Sequence, residues 1–153
     1  MMITLSKGDI APNFKAPNQS GKIISLKIFK GKKLVLFFYP KDNTPGCTAQ
    51  NCNLRDNYEL LKSKGFELLG VSADSENSHK KFIDKYDLPF DLLVDSNKEI
   101  INAYSVWGEK KFMGKVYDGI HRTTFIINEN GIIDNVIGKV KTKNHSEQIL
   151  ELY

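Results

Sequence analysis

Residues 34–56 read LVLFFYPKDNTPGCTAQNCNLRD, and this stretch decides the fold. It opens with six apolar or aromatic residues in a row. A short run of that kind, bounded by turn residues, reads as a strand buried on both faces. Pro40 ends it. Asp42, Asn43, Thr44, Pro45 and Gly46 then form a dense loop, Cys47 follows, and from Thr48 the sequence is helix-compatible as far as Gly65. Leu54, Tyr58 and Leu61 fall on one helical face, with Leu60 widening the stripe. A cysteine thus stands where a buried strand hands over to a helix. Free N–H groups and the positive end of the helix dipole at that point favour a thiolate over a thiol. Cys47 is accordingly expected near the surface in an electropositive setting, as a reactive cysteine rather than a packed one.

Outward from this stretch, strands and helices alternate. Residues 1–22 read as a loop-like lead-in punctuated by Pro12, Pro17 and Gly21, and residues 23–26 as a short strand. Residues 66–73 (FELLGVSA) form a second buried strand. Ser75 caps a helix to about Tyr86 that turns Phe82, Ile83 and Tyr86 inward, and Leu88-Pro89 breaks it. Residues 91–94 make a short strand. Asp95 or Ser96 then caps a helix to Tyr104 with Ile100 and Ile101 inside. Residues 106–121, with three glycines, read as irregular. Residues 123–128 and 132–137 flank Asn130-Gly131, the strongest hairpin signal in the chain. A terminal helix over residues 145–152 opens at Asn144 or Ser146. The pattern predicts an α/β protein: a central mixed β-sheet flanked by helices, in a single domain over residues 1–153. The cysteine loop lies at the C-terminal end of a central strand, where open α/β sheets usually place their sites.

Composition narrows the function. With 153 residues the chain is long enough for one sizeable core. A net charge of +4, with lysines dispersed among acids, is too modest and too spread for a nucleic-acid footprint, so no nucleic-acid partner is expected. The apolar runs are too short for a membrane span and the N-terminal residues show no secretory pattern, so a cytoplasmic location is expected. In a reducing compartment, two close cysteines suggest redox or metal chemistry rather than a structural staple. A metal site needs three or four ligands, and His79, His121 and His145 are scattered without paired spacing. No metal and no cofactor are expected.

Cys52 lies five residues after Cys47. On an ideal helix this places the Cα atoms roughly 8.7 Å apart, beyond the reach of about 7 Å that a disulfide allows. If the two join, the first turns of the helix must unwind. Spacing alone leaves Cys52 equally a packed core residue. The C-x-x-x-x-C spacing argues against a general disulfide exchanger, which would carry C-x-x-C. A redox-sensing switch stays open as the rival to an enzyme, and turnover discriminates them.

The run from Pro40 to Cys47, PKDNTPGC, matches P-x-x-x-T/S-x-x-C and so resembles the peroxiredoxins. The longer YPKDNTPGCTAQNCNLRD, together with GVSADS (70–75), VWGEKKFMGKVYDGIHRTTFIIN (106–128) and KTKNH (141–145), resembles their Q-type subfamily. That resemblance implies a thioredoxin-like fold and a thiol-dependent peroxidase. Cys47 would be the peroxidatic cysteine, oxidised to a sulfenic acid by a hydroperoxide substrate. Thr44 would hydrogen-bond the peroxide and the thiolate, and Pro40 would shield the site from water. Arg122, by itself readable as a surface arginine, would stabilise the thiolate. Cys52 would be the resolving cysteine, with thioredoxin or a similar dithiol reductant restoring both thiols. His121 beside Arg122 reads as a hydrogen-bonded structural residue, and Trp107 as a packing or loop-anchoring one. A monomer is expected, with a dimer as the alternative. Because resolution requires unwinding, stiffening the helix by replacing Asn51 or Asn53 with Ala is expected to favour overoxidation of Cys47.

Overall fold

The computed structural model describes residues 5–153. Expectations for residues 1–4 lie outside the described residues. Among the described residues, nine strands and five helices follow one another. Strands β1 (Lys15–Pro17) and β2 (Ile23–Ser25) pair antiparallel, and a 3-10 turn at Leu26–Phe29 leads into β3 (Lys33–Phe38). Helices α1 (Pro45–Asp56) and α2 (Tyr58–Ser63) lead to β4 (Phe66–Ser72). Next come α3 (Glu76–Tyr86), β5 (Asp91–Val94) and α4 (Glu99–Ala103). Strands β6 (Trp107–Phe112), β7 (Lys115–Ile120), β8 (Thr123–Ile127) and β9 (Ile133–Ile137) precede α5 (His145–Glu151).

The central sheet runs β5-β4-β3-β8-β9. The first three strands are parallel, and β8 and β9 join antiparallel. Alternation along β3 divides its side chains between two cores. Leu34, Leu36 and Phe38 pack with β1, β2 and α4 on one face, while Val35, Phe37 and Tyr39 pack with α1, α3 and α5 on the other. Packing in the second layer is tight: a Cβ on Gly70 would lie 2.6 Å from Leu92 Cδ2 and 2.8 Å from Phe37 Cζ. No helix among the described residues is long and apolar enough to cross a membrane.

Most expected elements are present, and the departures have physical reasons. Residues 15–17 form β1 rather than loop. Residues 107–120 form a regular hairpin, β6–β7, rather than an irregular segment. Its turn places Met113 and Gly114 at φ 51° and 80°, the two positive values of a type I′ connection. The ribbon stands apart from the main sheet and leaves Phe112, Met113, Val116 and Tyr117 exposed. It therefore carries no apolar alternation to read. The long helix expected to begin at Thr48 starts earlier, with Pro45 in its first turn. It also breaks at Asn57, whose Nδ2 bonds back to the Asn53 carbonyl. Beyond the break Leu60 points to solvent instead of widening the stripe. The N-cap position of α4 falls to Lys98 rather than Asp95 or Ser96, because the helix begins only at Glu99; the Asp95 carboxylate still accepts the N–H groups of Ile100 and Ile101.

Candidate active site

The site forms where β3 ends. Pro40 is half-buried and directly follows the buried Tyr39. Thr44 is the N-cap residue of α1, and Cys47 is the third residue of the helix proper. Having Cys47 inside the helix, not ahead of it, turns its side chain onto the sheet. It is 1% exposed and packs in the core layer of Val35, Phe37 and Tyr39. The expectation of a near-surface sulfur is thereby corrected. Cys52, further along the same helix, is half-buried and its thiol is also free.

Arg122 closes the site from 75 residues away in sequence. Its Nη1 and Nη2 both point at Cys47 Sγ, each at 3.5 Å, and Nη1 donates to Gln50 Oε1 at 2.7 Å. Gln50 is fully buried one helical turn after Cys47, so the sulfur and the amide present one face to the guanidinium. Because the guanidinium can only donate, it fixes which end of the amide it meets. Gln50 Nε2 is left buried without a partner among the described residues. Thr44 does not cap the helix with its side chain. Its hydroxyl donates to the Lys41 carbonyl at 2.8 Å, which leaves the oxygen free to accept. A second cation, Lys110, is held nearby through a bond from Nζ to the Ile120 carbonyl at 2.9 Å. Burial, and then the Arg122 charge, push its pKa down. Burial pushes the Cys52 thiol up, with Arg55 opposing and Asp56 adding to the shift.

The loop between Pro40 and Thr44 is held from below by Asp42, a buried carboxylate. Oδ1 accepts the Tyr39 hydroxyl at 2.6 Å, while Oδ2 accepts Ser78 Oγ at 2.8 Å and faces His79 Nδ1 at 2.7 Å. The other ring nitrogen of His79 faces the Leu93 carbonyl at 2.7 Å and must donate to it, so one proton lies between Nδ1 and the carboxylate. Burial, and next the Asp42 charge, hold the Tyr39 phenol well above its usual pKa, which keeps it a donor. The Asp42 N–H in turn donates to Asp74 Oδ2 at 2.9 Å. Asp42, Asp74 and His79 thus lie together, although the histidines look scattered in sequence. Their polar atoms bond to one another and to Tyr39, Ser72 and Ser78, which makes the cluster a loop anchor.

The chain matches the AhpC/TSA family over residues 7–136. The chain belongs to that family. A peroxiredoxin bcp of Buchnera aphidicola is 52% identical over 149 residues, 97% of this chain and 94% of that protein. Peroxiredoxin Bcp of Escherichia coli strain K12 is 46% identical over 149 residues, 97% of this chain and 96% of that protein. Among solved structures, a Xanthomonas campestris bacterioferritin comigratory protein, captured as a trapped intermediate/ligand complex for its alkyl peroxide reduction activity, superposes with a TM-score of 0.84 at 33% identity. The match covers 90% of this chain and 88% of that one. This peroxiredoxin therefore has the thioredoxin-like arrangement of its relatives and is a thiol-dependent peroxidase, with a peroxide as substrate and a thioredoxin-type dithiol as reductant.

Of the expected site residues, Cys47, Arg122 and Thr44 converge at the start of α1, with Pro40 at the end of β3. His121 is engaged through its main chain, to the Val106 carbonyl and Thr123 Oγ1, and its Nε2 is buried without a partner among the described residues. Trp107 is partly buried in the core layer on the far side of the sheet, with Lys98 Nζ 4.8 Å from its ring centroid. Gln50, Asp42, His79 and Lys110 escape a reading of the sequence alone. Only Gln50 carries a usable signal, its three-residue spacing from Cys47.

Proposed function

We propose that Cys47 is the peroxidatic residue and Cys52 the resolving residue of a peroxidase acting on hydrogen peroxide and organic hydroperoxides. The observation that carries this reading is the Arg122 guanidinium on the Cys47 sulfur at the start of α1. A fixed cation and the N-terminal end of a helix both stabilise negative charge there. The thiolate attacks one peroxide oxygen, the O–O bond breaks, and the leaving oxygen takes a proton to depart as water or an alcohol. Cys47 becomes a sulfenic acid. Arg122 stabilises charge as it develops on the peroxide, Thr44 supplies a hydroxyl to the same oxygens, and Pro40 keeps water out.

Cys52 then attacks the sulfenic sulfur. An S–S bond forms and the hydroxyl leaves as water. This step requires α1 to unwind, which also releases Cys52 from the burial that disfavours its thiolate. Thioredoxin, acting as the dithiol, returns both sulfurs to thiols by exchange. Such recycling fits the reducing cytoplasm. On this reading residues 1–153 act as one domain and one monomer suffices, since Cys47, Arg122 and Cys52 come from a single chain.

Intact-mass measurement after one equivalent of hydrogen peroxide tests the assignment. Wild type is expected to lose two hydrogens, and Cys52→Ser to gain one oxygen on Cys47. A wild type that keeps the sulfenic acid and behaves as the variant does would overturn the role of Cys52.

A further inference from the structure

Asn53 directly follows Cys52, and it ties α1 to the C-terminal segment through three atoms. Its Nδ2 donates to the Lys143 carbonyl at 2.9 Å, its Oδ1 accepts the Ser146 N–H at 2.7 Å, and its main-chain carbonyl accepts Ser146 Oγ at 3.2 Å. The segment that receives these bonds is itself fixed. Ile149 of α5 is fully buried in the core layer of Cys47, and the buried His145 bonds Thr124 of the central sheet at 2.8 Å. Asn53 is therefore joined through α5 to the rigid sheet. Asn51 differs: its Nδ2 bonds the Cys47 carbonyl at 2.9 Å, within the helix, and its Oδ1 is buried without a partner among the described residues.

We propose that Asn53 is the stop at which unwinding of α1 ends, so that residues 45–52 leave the helix when the disulfide forms while residues 53–56 and α2 stay docked. The proposal rests on the reading that Cys47 and Cys52 join. Without the clamp the natural boundary would be Asn57, where α1 already breaks. The stop confines the rearrangement to the segment bearing both sulfurs and holds Cys52 at its fixed edge. Asn53 is in this sense a positioning residue, acting through Cys52.

One substitution separates this role from helix propensity. Ala is a better helix former than Asn, so propensity alone would hold the boundary at least as firmly in Asn53→Ala. The clamp persists in both forms of the wild type, so its loss moves the boundary of unwinding toward Asn57. The disulfide form of Asn53→Ala is expected to lose hydrogen-exchange protection at Asn57, with sulfenic acid formation unchanged, and retained protection there overturns the proposal. Hydrogen exchange on the wild-type dithiol and disulfide forms gives a test independent of any variant. The N–H groups of residues 53–56 lose their acceptors with residues 49–52, so protection is expected to fall through residue 56 but to persist at Asn57, which donates to the Asn53 carbonyl, and at Ser146, which donates to Asn53 Oδ1; loss at both overturns it. Intact mass of the same samples keeps the two readings apart. If no disulfide forms, the assignment of Cys52 fails; if it forms and protection is lost at Asn57 and Ser146 as well, only the stop at Asn53 fails.

Discussion

Arg122 straddles the sulfur of Cys47, Nη1 and Nη2 each 3.5 Å from Sγ, while Nη1 is held at 2.7 Å by Gln50. The charge is therefore delivered as a fork with one prong fastened to the same helix as the sulfur. A lysine could bring the charge but not this planar two-point geometry. Arg122→Lys is expected to lower kcat/KM for peroxide by roughly a hundredfold, the scale of losing a transition-state donor. Stopped-flow peroxide consumption measures it, and a change below threefold would show that charge alone suffices.

Gly46 makes a finer version of the same test. A Cβ there would lie 3.1 Å from Arg122 Nη2. The guanidinium has little room to give, because it is held between Cys47 and Gln50. Gly46→Ala should leave the helix intact, since Ala is the better helix former, yet displace the fork by a few tenths of an ångström. A fall of roughly tenfold in kcat/KM is expected with an unchanged unfolding midpoint, in line with the sensitivity of rates to small misplacements. An unchanged rate would show that the exact placement of Nη2 is unimportant.

The loop carrying Pro40 and Thr44 depends on Asp42, and Asp42 depends on His79. Removing the imidazole in His79→Ala leaves a buried carboxylate with only hydroxyl donors and opens a cavity beneath it. A loss of about 3 kcal/mol is expected, at the lower end for breaking a buried charged pair. Urea unfolding at pH 7 reads the loss. Asp42→Asn with His79→Ala, which removes the charge as well, should recover part of it; a double variant no more stable than His79→Ala would refute the anchoring role.

The parts legible in the sequence are those written in local pattern. Residues 34–39 announce a strand buried on both faces because nothing polar interrupts them, and Ser75 marks a helix start that its side chain caps. Asn130-Gly131 marks the β8–β9 turn by its backbone preference, and Gly131 adopts φ 77°. Cys47, Thr44 and Pro40 fall within eight residues, so their loop can be read directly. Arg122 reaches the sulfur only through the pairing of β3 with β8, which sets Phe38 opposite Thr123. No local pattern encodes that register, and the resemblance alone singled the residue out. His79 and Asn53 were illegible for the same reason, since Asp42 lies 37 residues from His79, and Lys143 and Ser146 lie 90 and 93 residues from Asn53. The burial of Cys47 was misjudged because the helix begins two residues before it, and that shift rotates its side chain from solvent to sheet.

His145 fixes how the protein responds to acid. Its Nδ1 donates to Gln148 Oε1 at 2.9 Å, and its Nε2 accepts the Thr124 hydroxyl at 2.8 Å. Gln148 cannot turn its amide to oblige a charged ring, because Oε1 also accepts the Lys141 N–H and Nε2 donates to the Lys139 carbonyl. The ring is buried and neutral. Burial pushes its pKa down to about 4, with the bond to Gln148 opposing and the Arg122 charge adding to the fall. In the unfolded chain the same group titrates at about 6.5. Between these values the unfolded state binds a proton that the folded state refuses, so stability present above pH ~6.5 is lost progressively toward pH ~4. The loss attributable to this residue approaches about 3 kcal/mol. His145→Gln cannot take up that proton. It is expected to be less stable than wild type at pH 7, where the bond to Thr124 is disturbed, and to close the gap as pH falls to 4. Urea unfolding at pH 7, 6, 5 and 4 on both proteins gives the difference directly, free of the carboxylates they share. A gap that stays constant across the series would mean that the ring charges within the folded protein.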